Sequence, residues 1–372
     1  MTKKRILFSG YAPVHFACFY PAYKVLAADD RIEMYLSGGF RKVDPDTDET
    51  TYHIEGFYDN FDVDKSKIIP IEQAWKEDFD VLVCGHLSDA LFPKHAKRTV
   101  QVFHGVSFKN LAVRDKALRF DTLCLPGEYH AEKYREQNLI IDNDTTYYIT
   151  GFSKTDPLVD GSLDRDKFLK DLGLDATLPT VLFAPTGDKK NAMEAMGESV
   201  IEQVSASGKY NLLVKPHDHP KNKIDWFAEF KKFEGDKVKL VRDFDVTPYL
   251  HASDLLITDA SSVSVEYTLM DRPIIYLDLP KLMEKIKKRA VALDLSSRET
   301  GVVVDKNADL ASVIEDCLNN KDRESAKRKA LSSKVFYKPG TAARRVAGVV
   351  LKEAGVEDKV PDDVLVVKPE AV

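Results

Sequence analysis

Short apolar runs that end in glycine, proline or aspartate recur along this chain, with helix-length stretches between them. RILFSG, IEMYLSGG, KIIPI, DVLVCG, VQVFHG, TLCLPG and YYITG occupy the first part; TVLFAPTG, YNLLVKPH, VKLVRD, DLLITD, PIIYLD and GVVVD occupy the second. Runs that are apolar at nearly every position need cover on both faces, which parallel strands obtain from crossover helices. The series starts twice. An α/β chain with two doubly wound, Rossmann-like domains is the fold class this implies. Length agrees, because 372 residues exceed the roughly 250 to 300 at which a single core stops growing.

The join falls in the polar, turn-rich FSKTDPLVDGSLDRDKFLKDLGLDATLPT, with a helix expected to start near Asp164. Residues 1–158 therefore read as the first domain and 159–340 as the second. Residues 341–372 form a helix, open to packing on either domain, and a tail, VEDKVPDDVLVVKPEAV, that lacks helical period and is expected to be mobile.

A net charge of −6 argues against wholesale nucleic-acid binding. No stretch approaches the roughly 18 apolar residues of a membrane span, and MTKKRILFSG reads as a first strand rather than a leader, so a cytoplasmic protein is expected. Cys18, Cys84, Cys124 and Cys317 show no CxxC spacing and read as reduced core residues. Neither GxGxxG nor GxxxxGK[ST] occurs, which removes two large nucleotide-binding classes.

Ligands of such sheets sit beyond the carboxyl ends of the strands, so strand ends carry the functional information. After DLLIT the chain turns into a helix read as SSVSVEYTLMD, placing Ser261 and Ser262 at its start. They either cap it or, with its free N–H groups, form an anion site. Asp259 either caps the same turn or holds the loop by accepting N–H bonds. In VQVFHG, His104 leaves the sheet before Gly105 and is suited to take a proton from a hydroxyl; a strand-end histidine bonded to a carbonyl is the plain alternative. Lys109, Arg114, Lys116 and Arg119 read as the solvated basic side of a following helix. In NLLVKPHDHPK, Lys215 and His217 end another strand and suit a phosphate; the HDH run lacks a fixed zinc spacing, and no metal site is expected. Thr186 and Gly187 close TVLFAPTG within reach of the same ligand.

Taken together, these stretches resemble the CDP-glycerol glycerophosphotransferase family of teichoic-acid glycerol- and ribitol-phosphate transferases. FHGVSFK at 103–109 is similar to the family's WHGTxxK, ITGFSKTD at 149–156 to its TGxxRND, and FAPT, KPH, ITDASSVSVEY, RPIIYLD and GTAARRV follow in order. Val106, Ser107 and Ala260 depart from the usual residues, and Asp218 before His219 looks inserted. The resemblance implies a GT-B fold, two Rossmann-like lobes across a cleft, and no cofactor beyond the donor substrate.

It further implies that Ser261 and Ser262, with Lys215 and Thr186, hold the diphosphate of a CDP-polyol. His104 would deprotonate the acceptor hydroxyl, His217 would stabilise developing charge, and Gly105 and Asp259 would support them. The acceptor would be a lipid-linked glycan or polymer of the cell wall or capsule, met at the inner face of the cell membrane. The basic, apolar segments 222–233 and 280–291 are the candidate membrane surfaces, with ordinary inward packing as the alternative. A nucleotide-sugar GT-B glycosyltransferase and a catalytically silent nucleotide-binding protein are the competing readings.

Overall fold

The computed structural model describes residues 2–44, 47–87, 91, 95–106, 109–141, 144–217, 224–290 and 293–369. The chain divides into two compact units. The first comprises Met1–Gly105, Ala112–Asp156 and Lys334–Val372, and the second Val106–Leu111 and Pro157–Ser333.

The first unit runs β1 (Lys4–Gly10), α1 (Pro13–Leu26), β2 (Ile32–Gly38), the hairpin β3 (Phe40–Val43) and β4 (Thr50–His53), α2 (Ile71–Ala74), β5 (Phe79–Cys84), β6 (Ala96–Val102), β7 (Thr122–Leu125), α3 (Glu128–Glu136) and β8 (Thr146–Ile149). Proline at the first position starts α1, where its missing N–H costs nothing. Gly38 is obligatory: at φ +104° its chain passes so close to Gly10 that a Cβ would lie 1.9 Å from the Gly10 carbonyl oxygen.

The second unit follows as α4 (Arg165–Asp171), β9 (Thr180–Phe183), α5 (Ala192–Ala206), β10 (Asn211–Val214), α6 (Trp226–Phe230), β11 (Val238–Leu240), α7 (Thr247–Ala252), β12 (Leu255–Thr258), α8 (Val263–Tyr267), β13 (Ile274–Leu277), α9 (Pro280–Arg289), β14 (Val302–Val304), α10 (Leu310–Asn319) and α11 (Ser325–Val335). Side-chain caps explain several starts: Asp164, Asn191 and Asp309 accept the N–H groups of Lys167, Glu194 and Ser312. Alternate strand residues feed two buried layers. Val181, Phe183, Leu255 and Ile257 enter one, while Leu182, Leu213, Leu256 and Tyr276 enter the other. Double-sided cover is why these runs are apolar throughout.

The chain then returns to the first unit as α12 (Ala342–Glu353), which packs on α1, and β15 (Leu365–Val367), which pairs antiparallel with β8. The tail expected to be mobile is thus a sheet edge. Arg345 secures the return. Its buried guanidinium donates to the carbonyls of Thr150 at 2.6 Å and Lys338 at 2.7 Å and reaches Asp363 at 3.1 Å. Asp156 caps α12 through the N–H groups of Ala342 and Ala343 at 3.0 and 2.7 Å.

Sheet order locates the ligand ends. The first sheet reads β15-β8-β7-β6-β5-β1-β2, parallel but for β15, and the second reads β11-β10-β9-β12-β13-β14, all parallel. Chain direction across the sheet reverses between β1 and β5 in the first and between β9 and β12 in the second. Those are the two switch points, where adjacent loops part and open a crevice. KIIPI is not a strand: Lys65–Lys67 is a 3-10 turn, and Ile68 makes one isolated bridge to Leu36.

Candidate active site

At the second unit's switch point, Asp259 follows β12 and is sealed from water. Its carboxylate accepts the N–H groups of Thr186 at 2.8 Å, Ala260 at 2.5 Å and Ala192 at 2.8 Å. Every neighbour is a donor, so the ionised form is the one that fits. Burial pushes its pKa up, while the three N–H bonds and the Lys109 charge oppose that rise. Asp259 therefore holds the loops rather than capping the helix. It ties the end of β9 and the start of α5 to the serine turn.

The two serines differ. Ser261 is buried at 5% exposure, and its carbonyl accepts from the Ser264 hydroxyl at 2.9 Å. Ser262 is half-buried at the N-cap of α8, in helical backbone geometry and with no side-chain capping bond. The long helix expected from SSVSVEYTLMD stops at Tyr267 and tightens into a 3-10 turn through Met270. Its short dipole contributes little, so anion binding here would fall to hydroxyls, N–H groups and nearby cations.

Those cations are present. Lys109 donates to the Thr186 hydroxyl at 3.1 Å and pairs with Asp188 at 2.9 Å, and Arg289 also pairs with Asp188. Burial opposes ionisation of Asp188, but the two cations hold its carboxyl below the usual range. Lys109 is thus not on a solvated helix face: residues 106–111 belong to the second unit, and only a 3-10 turn, Asp115–Arg119, follows. Arg298 reaches the Asp259 carbonyl at 3.5 Å and Asp278 at 3.0 Å. Lys215 is buried and His217 exposed; Gly187 lies so near the imidazole that a Cβ would come within 2.6 Å of Nδ1. Asp218 and His219 lie outside the described residues. Among the described residues, no group of three or more His, Cys, Asp or Glu side chains is arranged to hold a metal ion.

In the first unit His104 follows β6, beside the switch point. Its Nδ1 lies 2.5 Å from the Gly85 carbonyl. A carbonyl only accepts, so Nδ1 carries the proton and Nε2 keeps a lone pair. Crowding by protein, with the Lys154 charge, pushes the pKa below the ordinary histidine value against the raising effect of the Gly85 bond. Water still reaches the exposed ring, so its proton exchanges with solvent. Gly105 is half-buried and is the residue at which the chain leaves this unit.

Two buried histidines stand behind this ring and were missed in the sequence. His15 of α1 lies 4.9 Å from His104, ring to ring, and His86, after β5, lies 5.5 Å from His15. Tyr11 packs on both, at 4.3 and 5.1 Å. Burial pushes the pKa of His15 far down and that of His86 to about 3. Both stay neutral at working pH.

The family model for CDP-glycerol:poly(glycerophosphate) glycerophosphotransferase matches residues 81–352, which carry His104, His217, Lys215, Thr186, Asp259, Ser261 and Ser262. The chain belongs to this family. Teichoic acid glycerol-phosphate primases of Bacillus subtilis and Bacillus spizizenii are 33% identical over 100 residues and 29% identical over 160 residues. These matches cover 26% and 42% of this chain, but only 24% and 40% of the primases. The wall teichoic acid polymerase TagF superposes with a TM-score of 0.71 at 16% identity, over 95% of this chain and 89% of that one. A TagF variant soaked with CDPG gives 0.67 at 17% identity, over the same 95% and 89%. A UDP-N-acetylglucosamine 2-epimerase gives 0.58 at 16% identity, over 97% of this chain and 99% of that one. Such distant likenesses establish the two-domain α/β fold called GT-B, as the glycerophosphotransferase resemblance implied. They do not choose a reaction.

Proposed function

We propose that this glycerophosphotransferase-family chain moves glycerol phosphate, or a related polyol phosphate, from a CDP-activated donor to an acceptor hydroxyl in teichoic-acid-type polymer synthesis, releasing CMP. The family match supports the donor class. The observation that carries the chemistry is the imidazole of His104, an exposed residue, whose Nδ1 is engaged by the Gly85 carbonyl so that Nε2 is the nitrogen left to accept a proton. The acceptor O–H proton passes to Nε2 as its oxygen attacks the β-phosphorus. The bond from that phosphorus to the CMP oxygen breaks, and CMP leaves with the bonding pair. Phosphoryl transfer of this kind needs positioning and charge stabilisation more than covalent help. His217 and Lys215 supply the charge, and Ser262, Ser261 and Thr186 hold the diphosphate on the frame that Asp259 ties together.

The acceptor in this reading is lipid-linked, and the membrane is met at its inner face through charge. Leu282 and Ile286 of α9 are buried, whereas Lys281, Lys287, Lys288 and Arg289 are exposed. Trp226 and Phe230 of α6 likewise face inward. No helix among the described residues is long and apolar enough to cross a membrane. Each basic residue near an anionic surface contributes about 1 kcal/mol. Co-sedimentation with anionic vesicles at low salt is expected, and its absence would remove the contact.

The donor test offers CDP-glycerol, CDP-ribitol and UDP-sugars in parallel and follows free nucleotide. Release of CMP from a CDP-polyol alone is expected. Release of UDP would make the chain a glycosyltransferase, and binding with no turnover of any donor would make it a silent nucleotide-binding protein.

A further inference from the structure

The proposed reaction gives His104 a proton to take, but assigns no group of the first unit to hold the molecule that carries it. The β3–β4 hairpin has the chemistry for that task. It leaves the ligand end of the first sheet directly after β2 and is laced to the turn that follows β1. The Gly39 N–H donates to the Gly10 carbonyl at 3.0 Å, and the Arg41 N–H to the Tyr11 carbonyl at 3.3 Å. Gly39 has to be glycine: at φ +138°, a Cβ would stand 2.5 Å from the His53 carbonyl carbon. Opposed residues of an antiparallel pair share a face, so Phe40 lies with His53 and Arg41 with Tyr52. The first face packs inward, Phe40 meeting Phe57 edge-on at 5.1 Å. The second faces Tyr11, whose ring centre is 5.9 Å from the Arg41 guanidinium carbon.

From Tyr11 a run of ring contacts leads to the base. Tyr11 meets His15 at 4.3 Å, and His15 meets His104 at 4.9 Å, all within the first unit. Exposed arginines elsewhere in this unit are engaged: Arg31 pairs with Asp29 and Glu357, Arg98 with Asp121, and Arg344 with Asp363. Arg41 differs. It is exposed and, among the described residues, pairs with no carboxylate, although Asp44, Asp48 and Glu49 lie in the hairpin's turn and Glu55 follows it. A guanidinium left open in this way suits a phosphate, which takes two parallel N–H bonds from it. The half-buried Tyr11 and Tyr52 supply ring faces and hydroxyls for the carbon skeleton and oxygens beside that phosphate.

We propose that the Arg41–Tyr52 face of the hairpin, together with Tyr11, is an acceptor subsite for a phosphate ester: the phosphate docks on Arg41 while a hydroxyl further along the same molecule reaches His104. The inference rests on the reading of the chain as a polyol-phosphate transferase. Such a phosphate has two sources, a polyol-phosphate unit already in place and the diphosphate that joins an acceptor to its lipid. Both present the same oxygens.

The test is calorimetry on the full chain with glycerol 3-phosphate, geranyl diphosphate and glycerol, beside co-sedimentation with phosphatidylglycerol vesicles. At least one of the two phosphate esters is expected to bind and glycerol is not; the tighter ester names the source. Arg41→Gln should weaken that ester about tenfold or more, Arg41→Lys should recover part of the loss, and CDP-glycerol affinity should stay within about twofold in both. Failure of both esters to bind, or equal binding by wild type and Arg41→Gln, overturns the inference. Vesicle binding that needs Arg41 while neither ester binds would make the face a lipid contact and overturn it as well. Arg41-dependent ester binding by a chain that turns over no CDP-polyol would uphold the subsite and overturn the proposed reaction.

Discussion

Replacing Asp259 with asparagine tests how the second unit's strand-end loops are built. One carboxylate oxygen accepts the Thr186 and Ala260 N–H groups, and the other accepts that of Ala192. An asparagine can turn its carbonyl toward the pair, but its NH2 then faces the Ala192 N–H, donor against donor, at a position only 1% exposed. The loss is one charge-assisted bond, about 1.5 to 3 kcal/mol, plus a buried unsatisfied donor, about 1 to 3 kcal/mol. Together that is about 4 kcal/mol. With a urea m-value of about 2 kcal/mol/M, the midpoint should fall by about 2 M. The assay is direct because the chain has two tryptophans: Trp226, buried in the second unit, and Trp75, exposed in the first. In a Trp75→Phe background, fluorescence reports the second unit alone. A midpoint shift below about 0.5 M would refute the hub assigned to Asp259, as would an equal shift seen through Trp75 in a Trp226→Phe background.

Three further outcomes follow from named contacts. Ser261→Ala with Ser262→Ala should weaken CDP-glycerol binding about tenfold or more by calorimetry, since two hydrogen bonds to a charged group are lost; unchanged affinity would remove the pair from the site. Arg345→Met strands the carbonyls of Thr150 and Lys338 and should cost about 3 to 5 kcal/mol, read as faster hydrogen exchange in residues 337–367; native-like protection there would contradict the clamp. Burial pushes His86 and His130 each down to about 3. Their unfolded pKa is about 6.5, so the unfolded chain takes up protons first, and stability present above pH 6.5 is lost as pH falls toward 3. From pH 7 to 5 these two alone should cost the first unit about 4 kcal/mol, about 2 each, with the buried His15 acting in the same direction, and a flat or rising urea midpoint followed through Trp75 would contradict this.

The doubly wound sheets were legible because parallel strands buried on both faces leave continuous apolar runs, as at Leu255–Thr258 and Ile274–Leu277. Edges were not. β15 lies half-exposed and reads as tail, the β3–β4 hairpin is polar, and KIIPI shows β-type residues that tertiary packing uses as a turn. Asp259, Lys215, His104 and the serines could be found because strand ends are visible locally. His15 and His86 could not, because only the sheet order sets the end of β1 beside β5 and brings α1 against both. Lys109 and Arg298 escaped for a related reason, since their partners Thr186, Asp188 and Asp278 are distant in sequence. The serine helix was overextended because period alone does not mark where an α-helix tightens to 3-10 geometry.

The central claim is that the Nε2 lone pair of His104 removes the acceptor proton while the donor is held by other residues. It is tested by measuring CDP-glycerol affinity and single-turnover CMP release side by side for the wild type and His104→Ala. The account predicts a rate lower by about 10²- to 10⁴-fold with donor affinity within about twofold. A near-normal rate with donor affinity lost would contradict it.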